Sequence, residues 1–352
     1  MKNYFCFILI GLLFGTFSCK APNSNELVDF TVSLKDYDMK LSFKRVVNEL
    51  GELVKEGEYF GKIEEPKIYN NQIYGIDRRS WSIVLFDEDF NISRTYGKMG
   101  EDAYDENFNF FNYSVSDSLY WVLEPNRYLF KIFDHHDNII HLEKLAVFSN
   151  SAIETENNTF IFAHDDYEGK NIEFSSLDNQ GNFMFLYNLK DIIADSGSNE
   201  IENFDLIYEG WLYASKEYIV YVCFKSDDFF VFDSSMEHLY NSKTVYKLPL
   251  PKILAESNFE QTVFKTDPPF IFNSYSQISG KNLFILNPVS KEKIHYIDVY
   301  DLESFGEYNY SIKVPFLDDG QVPISFVVKD SSIVIFYENM TIKEFRYMSQ
   351  EY

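Results

Sequence analysis

Residues 119–134 read LYWVLEPNRYLFKIFD, two apolar runs that a short polar segment separates and that Asp134 closes. Aromatic and β-branched side chains dominate both runs, which is typical of β-strands, and the Pro and Asn between them favour a turn. We therefore predict two neighbouring strands of one antiparallel sheet in this stretch.

The same unit recurs along the chain as an apolar run, a turn and a second run that usually ends in Asp. The other five units begin at Ile73, Phe160, Tyr218, Leu283 and Ile333. The closing Asp residues are Asp87, Asp134, Asp178, Asp233 and Asp301. The first two intervals between them match the period of about 40–50 residues that propeller blades show, and the later two are longer. We predict that 248–270, which is rich in Pro, is a loop with one helical turn inserted between blades.

These repeats predict an all-β fold, a six-bladed β-propeller with four-stranded antiparallel blades. Each blade is apolar on both faces, so packing the blades around an axis buries surfaces that no single blade can bury. The last unit lacks an outermost strand, and we predict that Leu27–Ser33 supplies it and closes the ring. Apolar residues within Phe43–Val54 recur at helical spacing and predict a short helix there.

The N-terminal residues have the order of a secretory signal: Lys2, an apolar run over 4–14, then small residues. The segment Gly15-Thr-Phe-Ser-Cys19 resembles the lipobox of bacterial lipoproteins, which implies cleavage before Cys19 and lipidation of its thiol. Ordinary signal cleavage after Ser18 with a free Cys19 is the alternative. We predict a signal peptide over 1–18, a lipidated Cys19 with a flexible tether over 19–26, and a single propeller domain over 27–352.

The chain is strongly acidic, with 55 Asp and Glu against 31 Lys and Arg and a formal net charge of −24. Such a surface is repelled by phosphate backbones and anionic head groups, so nucleic acid is excluded as a partner. Cys223 lies in a strongly β-forming run with no basic group close in sequence, and we predict a buried core residue rather than a catalytic thiol.

A family resemblance rests on Asp77–Asp87, Asn91–Gly100 and Glu124–Asp134. These segments resemble the repeat of NHL-like and TolB-like six-bladed propellers, in which an Asp-containing turn precedes a strand that ends in Phe-Asp. Together with the lipobox-like segment, the whole chain resembles the six-bladed propeller lipoproteins of Bacteroides-type bacteria. The resemblance implies a cell-envelope location, in the outer membrane, and leaves open whether the protein faces the periplasm or the surface. It carries over no catalytic residue.

The candidate metal ligands are four carboxylates in two turn-like segments, which could bind calcium on a propeller rim. They are Asp165, Asp166, Asp318 and Asp319. Two other acidic segments, Asp87–Asn91 and Asp134–Asp137, are interpreted as hairpin turns. Beyond this calcium hypothesis, the sequence predicts no cofactor.

Two functions are consistent with these patterns. The first is a non-enzymatic binding or scaffolding lipoprotein, monomeric, anchored to the membrane by its lipid and recognising a protein or a glycan, because propeller loops from every blade share a face. The second is a metal-dependent hydrolase or lactonase with a central ion. That function would require carboxylates, Asn or His of several blades to converge on the axis.

Overall fold

The protein is described here by a computed structural model, which covers residues 26–34, 39–59, 61, 63–97, 112–155, 159–166, 170–194, 203–246, 250–257, 262–267, 271, 273–288 and 293–347. The predicted signal peptide and Cys19 lie outside the described residues.

Strands dominate the described residues. In chain order they are β1 (Glu26–Leu34), β2 (Met39–Glu49), β3 (Leu53–Glu58), β4 (Ile63–Tyr69), β5 (Gln72–Asp77), β6 (Ser82–Phe86), β7 (Ile92–Tyr96), β8 (Asn112–Val115), β9 (Leu119–Glu124), β10 (Leu129–Asp134), β11 (Ile139–Lys144), β12 (Ser149–Glu154), β13 (Phe160–Asp165), β14 (Ile172–Leu177), β15 (Phe183–Asn188), β16 (Gly210–Ala214), β17 (Tyr218–Cys223), β18 (Asp228–Asp233), β19 (His238–Lys243), β20 (Lys252–Ser257), β21 (Thr262–Asp267), β22 (Tyr275–Ser279), β23 (Asn282–Asn287), β24 (Ile294–Asp301), β25 (Glu307–Pro315), β26 (Pro323–Val328), β27 (Ser332–Tyr337) and β28 (Thr341–Arg346).

The strands form six antiparallel blades in a ring, which confirms the predicted six-bladed β-propeller. Blades 1 to 4 are β4–β7, β8–β11, β12–β15 and β16–β19, blade 5 contains β22–β25, and blade 6 contains β26–β28 with β3. The first strand of each blade contacts the first strand of the next, and β26 contacts β4, so the ring is closed. Each repeat found in the sequence supplies the second and third strands of one blade.

The hydrophobic core is divided into six clusters, and each cluster lies between two adjacent blades. Strands β6, β9, β17 and β27 are buried over most of their length because side chains on both of their faces enter these clusters. Cys223 is fully buried in the cluster between blades 3 and 4, as predicted. The two faces of one blade are therefore stabilised only by its two neighbours.

The ring closes through a different N-terminal strand from the one predicted. Leu53–Glu58 pairs antiparallel with Thr341–Arg346 and completes blade 6. The prediction for Leu27–Ser33 is wrong, because β1 pairs along its whole length with β2. Strand β2 in turn pairs in parallel with β25 over Val47–Glu49, which extends blade 5 to six strands. Both N-terminal segments have strand character, and only the tertiary partner decides which one reaches the last blade.

The predicted helix over Phe43–Val54 is also wrong, because most of this segment is strand β2. Its β-branched Val46 and Val47 suit a strand, and pairing on both sides outweighs the apolar spacing. The segment inserted between blades 4 and 5 is the hairpin β20–β21 rather than a helical turn. The helices of the described residues are α1 (Leu189–Ala194), α2 (Phe204–Tyr208) and one short 3-10 turn. None of them is long and apolar enough to span a bilayer.

A buried ion pair attaches the β1–β2 hairpin to blade 5. The Arg45 guanidinium lies 3.1 Å from the Asp298 carboxylate, and both side chains are almost completely buried. The hydroxyls of Tyr246 and Ser311 donate to the same carboxylate at 2.8 and 2.5 Å. The guanidinium also stacks over the ring of Tyr296 at 4.0 Å. The pair fixes the position of the hairpin at a desolvation cost, because burial raises the pKa of Asp298 against the opposing effects of Arg45 and Ser311.

The closing Asp of four repeats organises the turn between the third and fourth strands. In Asp87, Asp134, Asp178 and Asp233, one carboxylate oxygen accepts the backbone N–H groups two and four residues later. The residue three positions after each Asp has a left-handed backbone. The two acidic segments interpreted as turns, Asp87–Asn91 and Asp134–Asp137, are therefore confirmed as turns.

We predict that strand β3 closes the ring and that β1 and β2 do not. A chain starting at Gly51 should fold, whereas one starting at Tyr59 should melt several degrees lower or aggregate, because β28 then exposes an unpaired edge and loses ladder hydrogen bonds worth about 0.5–1.5 kcal/mol each. Thermal unfolding of the two truncations measures the difference. Both lack Arg45, so the comparison isolates β3, and equal melting temperatures would contradict this role.

Candidate functional site

The two faces of the ring are defined by their loops. Strands alternate in direction, so turns between first and second and between third and fourth strands lie on one face, which we call the turn face. Residues 70–71 and 116–118 belong to it. Turns between second and third strands and the connections between blades lie on the opposite face, which we call the crossover face. Residues 78–81 and 316–322 belong to the crossover face.

A cavity of about 220 Å³ lies on the propeller axis, in the half of the ring nearer the turn face. Its walls come mainly from the first strands of blades 1 to 5. Aromatic rings and a few polar groups line it, among them Lys67, Tyr69, Ser114, Trp121, Glu154, Tyr213, Tyr275 and Gln277. The fold therefore brings residues distant in sequence to one place, which we call the axial cavity.

An irregular stretch of β4 supplies the floor of the axial cavity. The pairing register with β5 shifts between Glu64 and Lys67, and Glu65 has a left-handed φ of 49°. Two tyrosines from other blades hold this bulge. The Tyr113 hydroxyl donates to the Glu65 carbonyl at 2.9 Å, and the Tyr275 hydroxyl donates to the Pro66 carbonyl. Strain of this kind persists where the surroundings fix it, and it is common at binding sites.

Two ionisable groups lie at this floor. Burial raises the pKa of the Glu65 carboxyl to about 8, against an opposing effect of the Lys67 charge. Burial also lowers the pKa of Lys67 to about 8, although the Glu65 charge favours the ammonium. Within the described residues, the Glu65 carboxylate has no hydrogen-bond or ion-pair partner. The Lys67 ammonium donates to the Tyr113 carbonyl at 2.5 Å and lies 5.8 Å from the Trp121 ring centre.

A second, larger space adjoins the axial cavity on the turn face. This groove between blades 2 and 3 encloses about 560 Å³, and both spaces are lined by Tyr69 and Glu154. The Trp121 indole N–H donates to the Glu154 carboxylate at 3.1 Å, and burial raises the pKa of this carboxyl. Apolar Leu119 and Ile132 line the groove together with polar residues at 116–118 and 178–179. We call the axial cavity and this groove together the axial cleft.

The carboxylates predicted from the sequence as calcium ligands do not come together. Asp165 is the last residue of β13 in blade 3 and Asp166 follows it, whereas Asp318 and Asp319 lie in the connection from blade 5 to blade 6. Both pairs are on the crossover face, but blades 3 and 6 are on opposite sides of the ring. Within the described part of the chain, no group of three or more His, Cys, Asp or Glu is placed to hold a metal ion. Calcium binding stays a prediction.

Each pair of carboxylates has local partners. Burial, followed by the nearby Asp205 and other acidic groups, raises the pKa of Asp165 to about 6. The Asp166 carboxylate accepts the backbone N–H of Lys170 at 2.6 Å. In the other turn, Asp319 accepts the Asn339 amide at 3.1 Å. These contacts stabilise loops.

The residues of the axial cleft were not identified from the sequence. One signal was available for Glu65 and Pro66, because a proline inside a strand pattern indicates a bulge. Tyr113, Tyr213 and Tyr275 gave no signal, since tyrosines in alternating runs are ordinary sheet residues. Their convergence depends on the closure of the ring.

Comparison with known proteins supports the fold. A DUF4221 family member from Bacteroides vulgatus superposes with a TM-score of 0.56 at 13% sequence identity, covering 93% of this chain and 99% of its own. A Bacteroides fragilis protein whose name describes it as exported gives 0.49 at 11% identity, covering 92% and 95%. Virginiamycin B lyase from Staphylococcus aureus gives 0.46 at 10% identity, covering 92% and 99%. At these identities, the likeness to the first shows a shared fold alone. No family model and no curated protein sequence matches the chain.

We predict that Glu65 makes the protein less stable as the pH rises. Its pKa of about 8 lies above the value of about 4.3 in an unfolded chain, so the native state binds more protons between these values and stability falls with increasing pH. Glu65→Gln should remove this dependence and gain about 1 kcal/mol or more over the parent between pH 5 and 8. Urea unfolding at several pH values measures the gain. Glu237→Gln, at an exposed position, should leave the pH profile of the parent unchanged. If Glu65→Gln loses as much stability as the parent between pH 5 and pH 8, the prediction is wrong.

Proposed function

We propose that the protein is a lipid-anchored component of the bacterial cell envelope that binds a ligand in the axial cleft without transforming it. The observation that carries the proposal is the axial cavity on the turn face, which shares the lining residues Tyr69 and Glu154 with the groove between blades 2 and 3. Ligand sites are typically concave spaces of about 300–1,000 Å³ with a few convergent polar groups in a largely apolar lining. The two spaces together fall within that range.

The walls of the cleft support binding because rigid elements position them. The axial residues lie on first strands, which contact one another around the whole ring. Tyr113 and Tyr275 hold the bulge of β4 from two other blades, so the geometry of Lys67 is fixed before any ligand arrives. Preorganisation of this kind lowers the entropic cost of binding.

The chemistry of the axis favours binding over a metal-dependent hydrolase. Such an enzyme needs several carboxylate, Asn or His ligands around a central cation. Here the ammonium of Lys67 shares the floor with Glu65, and a positive charge at that position repels a divalent cation. The balance of one cation and nearby carboxylates suits hydrogen bonding to a ligand.

The proposed envelope location rests on the sequence. The signal-like residues 1–18 and the lipobox-like segment before Cys19 support export and lipidation. Several acyl chains on one residue anchor a protein stably, where a single chain is marginal. We propose the outer membrane, with the protein monomeric and its orientation towards the periplasm or the surface open. The NHL-like or TolB-like character of the repeats belongs to the same proposal.

We predict that Cys19 carries the anchor. The wild-type protein expressed in a bacterial host should partition into detergent and incorporate labelled palmitate, because the lipobox-like segment directs lipidation of Cys19. Cys19→Ala should lose the label and become soluble. Metabolic labelling with phase separation measures both properties. Membrane association that persists in the mutant, without label in the wild type, would rule out the proposed anchor.

We predict that filling the axial cavity abolishes binding. Ala214 lines the cavity, and Ala214→Leu should reduce the affinity for any cleft ligand at least tenfold by occupying its space. Ala255→Leu in the exposed β20 strand is the matched control. Trp121 lines the cavity, so fluorescence titration with a mixed panel of oligosaccharides and tripeptides reports binding. Binding that survives Ala214→Leu would place the ligand elsewhere.

A further inference from the structure

We infer that the axial cleft takes a neutral oligosaccharide, with its terminal sugar in the axial cavity and the next sugars in the groove between blades 2 and 3. The inference rests on the proposed function and deepens it by naming the class of ligand. It derives from the shape of the two spaces, from their hydrogen-bonding groups and from their charge balance.

The shape favours a chain of linked units. The axial cavity of about 220 Å³ is compact, and the adjoining groove of about 560 Å³ extends away from the axis. Tyr69 and Glu154 line both spaces, so a ligand that extends from one space into the other would pass these two side chains. A single small molecule would leave the groove empty, whereas a short oligomer occupies both.

The polar groups of the cavity offer donors and acceptors together. One of the three N–H groups of Lys67 binds the Tyr113 carbonyl. The Gln277 side-chain oxygen accepts the Val328 N–H at 2.8 Å, and its amide hydrogens remain as donors. Glu154 accepts from Trp121 through one oxygen and keeps a second as an acceptor. Hydroxyl groups, which both donate and accept, match such a mixed set, and Ser114 adds one more of the same kind.

The charges disfavour an ionic ligand of either sign. An anionic ligand would meet the Glu154 carboxylate in a chain with a net charge of −24. A cationic ligand would meet Lys67 at the floor of the cavity. A neutral ligand avoids both repulsions, and the partly exposed rings of Tyr69 and Tyr213 provide apolar faces for the C–H surfaces of a sugar.

Calorimetric titration of the full soluble chain tests the class of ligand. The probes are mono- and trisaccharides of glucose, galactose, mannose, xylose and N-acetylglucosamine, with trigalacturonate, trialanine and trilysine for comparison. We expect at least one neutral trisaccharide to bind at least tenfold more tightly than its monosaccharide, because the groove adds contacts. Glu154→Gln should weaken this binding about tenfold, whereas Glu237→Gln, which is exposed and does not line the cleft, should not. Melting temperatures confirm that both variants fold.

The outcomes separate this inference from the proposed function. Binding of trigalacturonate, trialanine or trilysine alone, lost in Ala214→Leu, overturns the neutral oligosaccharide and leaves the binding function in place. Equal affinity for mono- and trisaccharide overturns the role of the groove. A panel in which nothing binds overturns the ligand class, and sugar binding that survives Ala214→Leu overturns the site itself.

Discussion

Every blade of this propeller depends on its two neighbours, because each blade is apolar on both faces and one neighbour can cover only one of them. The six core clusters all lie between adjacent blades, so a break at any point exposes the faces on both sides of it. The closing contact is non-covalent, since β3 joins β28 through backbone pairing across the ends of the chain. The stability of the ring and the positions of the residues on its axis therefore depend on this pairing of β3 with β28.

Closure of the ring brings side chains of different blades together at the propeller axis. Once the first strands form a ring, side chains from different blades face a common space in which water is scarce, and burial changes the proton affinity of the groups there. Glu65 and Lys67 illustrate the consequence, because burial raises the pKa of the acid and lowers that of the base. A core built only for stability would use apolar residues at these positions. Retaining two buried ionisable groups there is costly for folding, and ligand recognition explains it better.

The N-terminal hairpin adds a second layer of organisation. Strand β2 adds to the edge of blade 5, and the buried pair between Arg45 and Asp298 fixes its register. Adding strands to an open edge removes unpaired backbone groups that would otherwise favour aggregation.

The sequence alone determined the fold class, the number of blades and the Asp-centred turns, because these depend on local patterns: alternating apolar residues, turn formers and a repeat of similar length. Residues such as Asp134 act within four positions of themselves, and their role can be interpreted without knowing the fold. The tertiary structure alone decided that Leu53–Glu58, rather than Leu27–Ser33, closes the ring, and that Phe43–Val54 is mainly strand. It also placed Lys67, Tyr113 and Glu154 around one cavity. These features depend on contacts between segments far apart in the chain, and no local pattern specifies which distant partner a strand or a side chain meets.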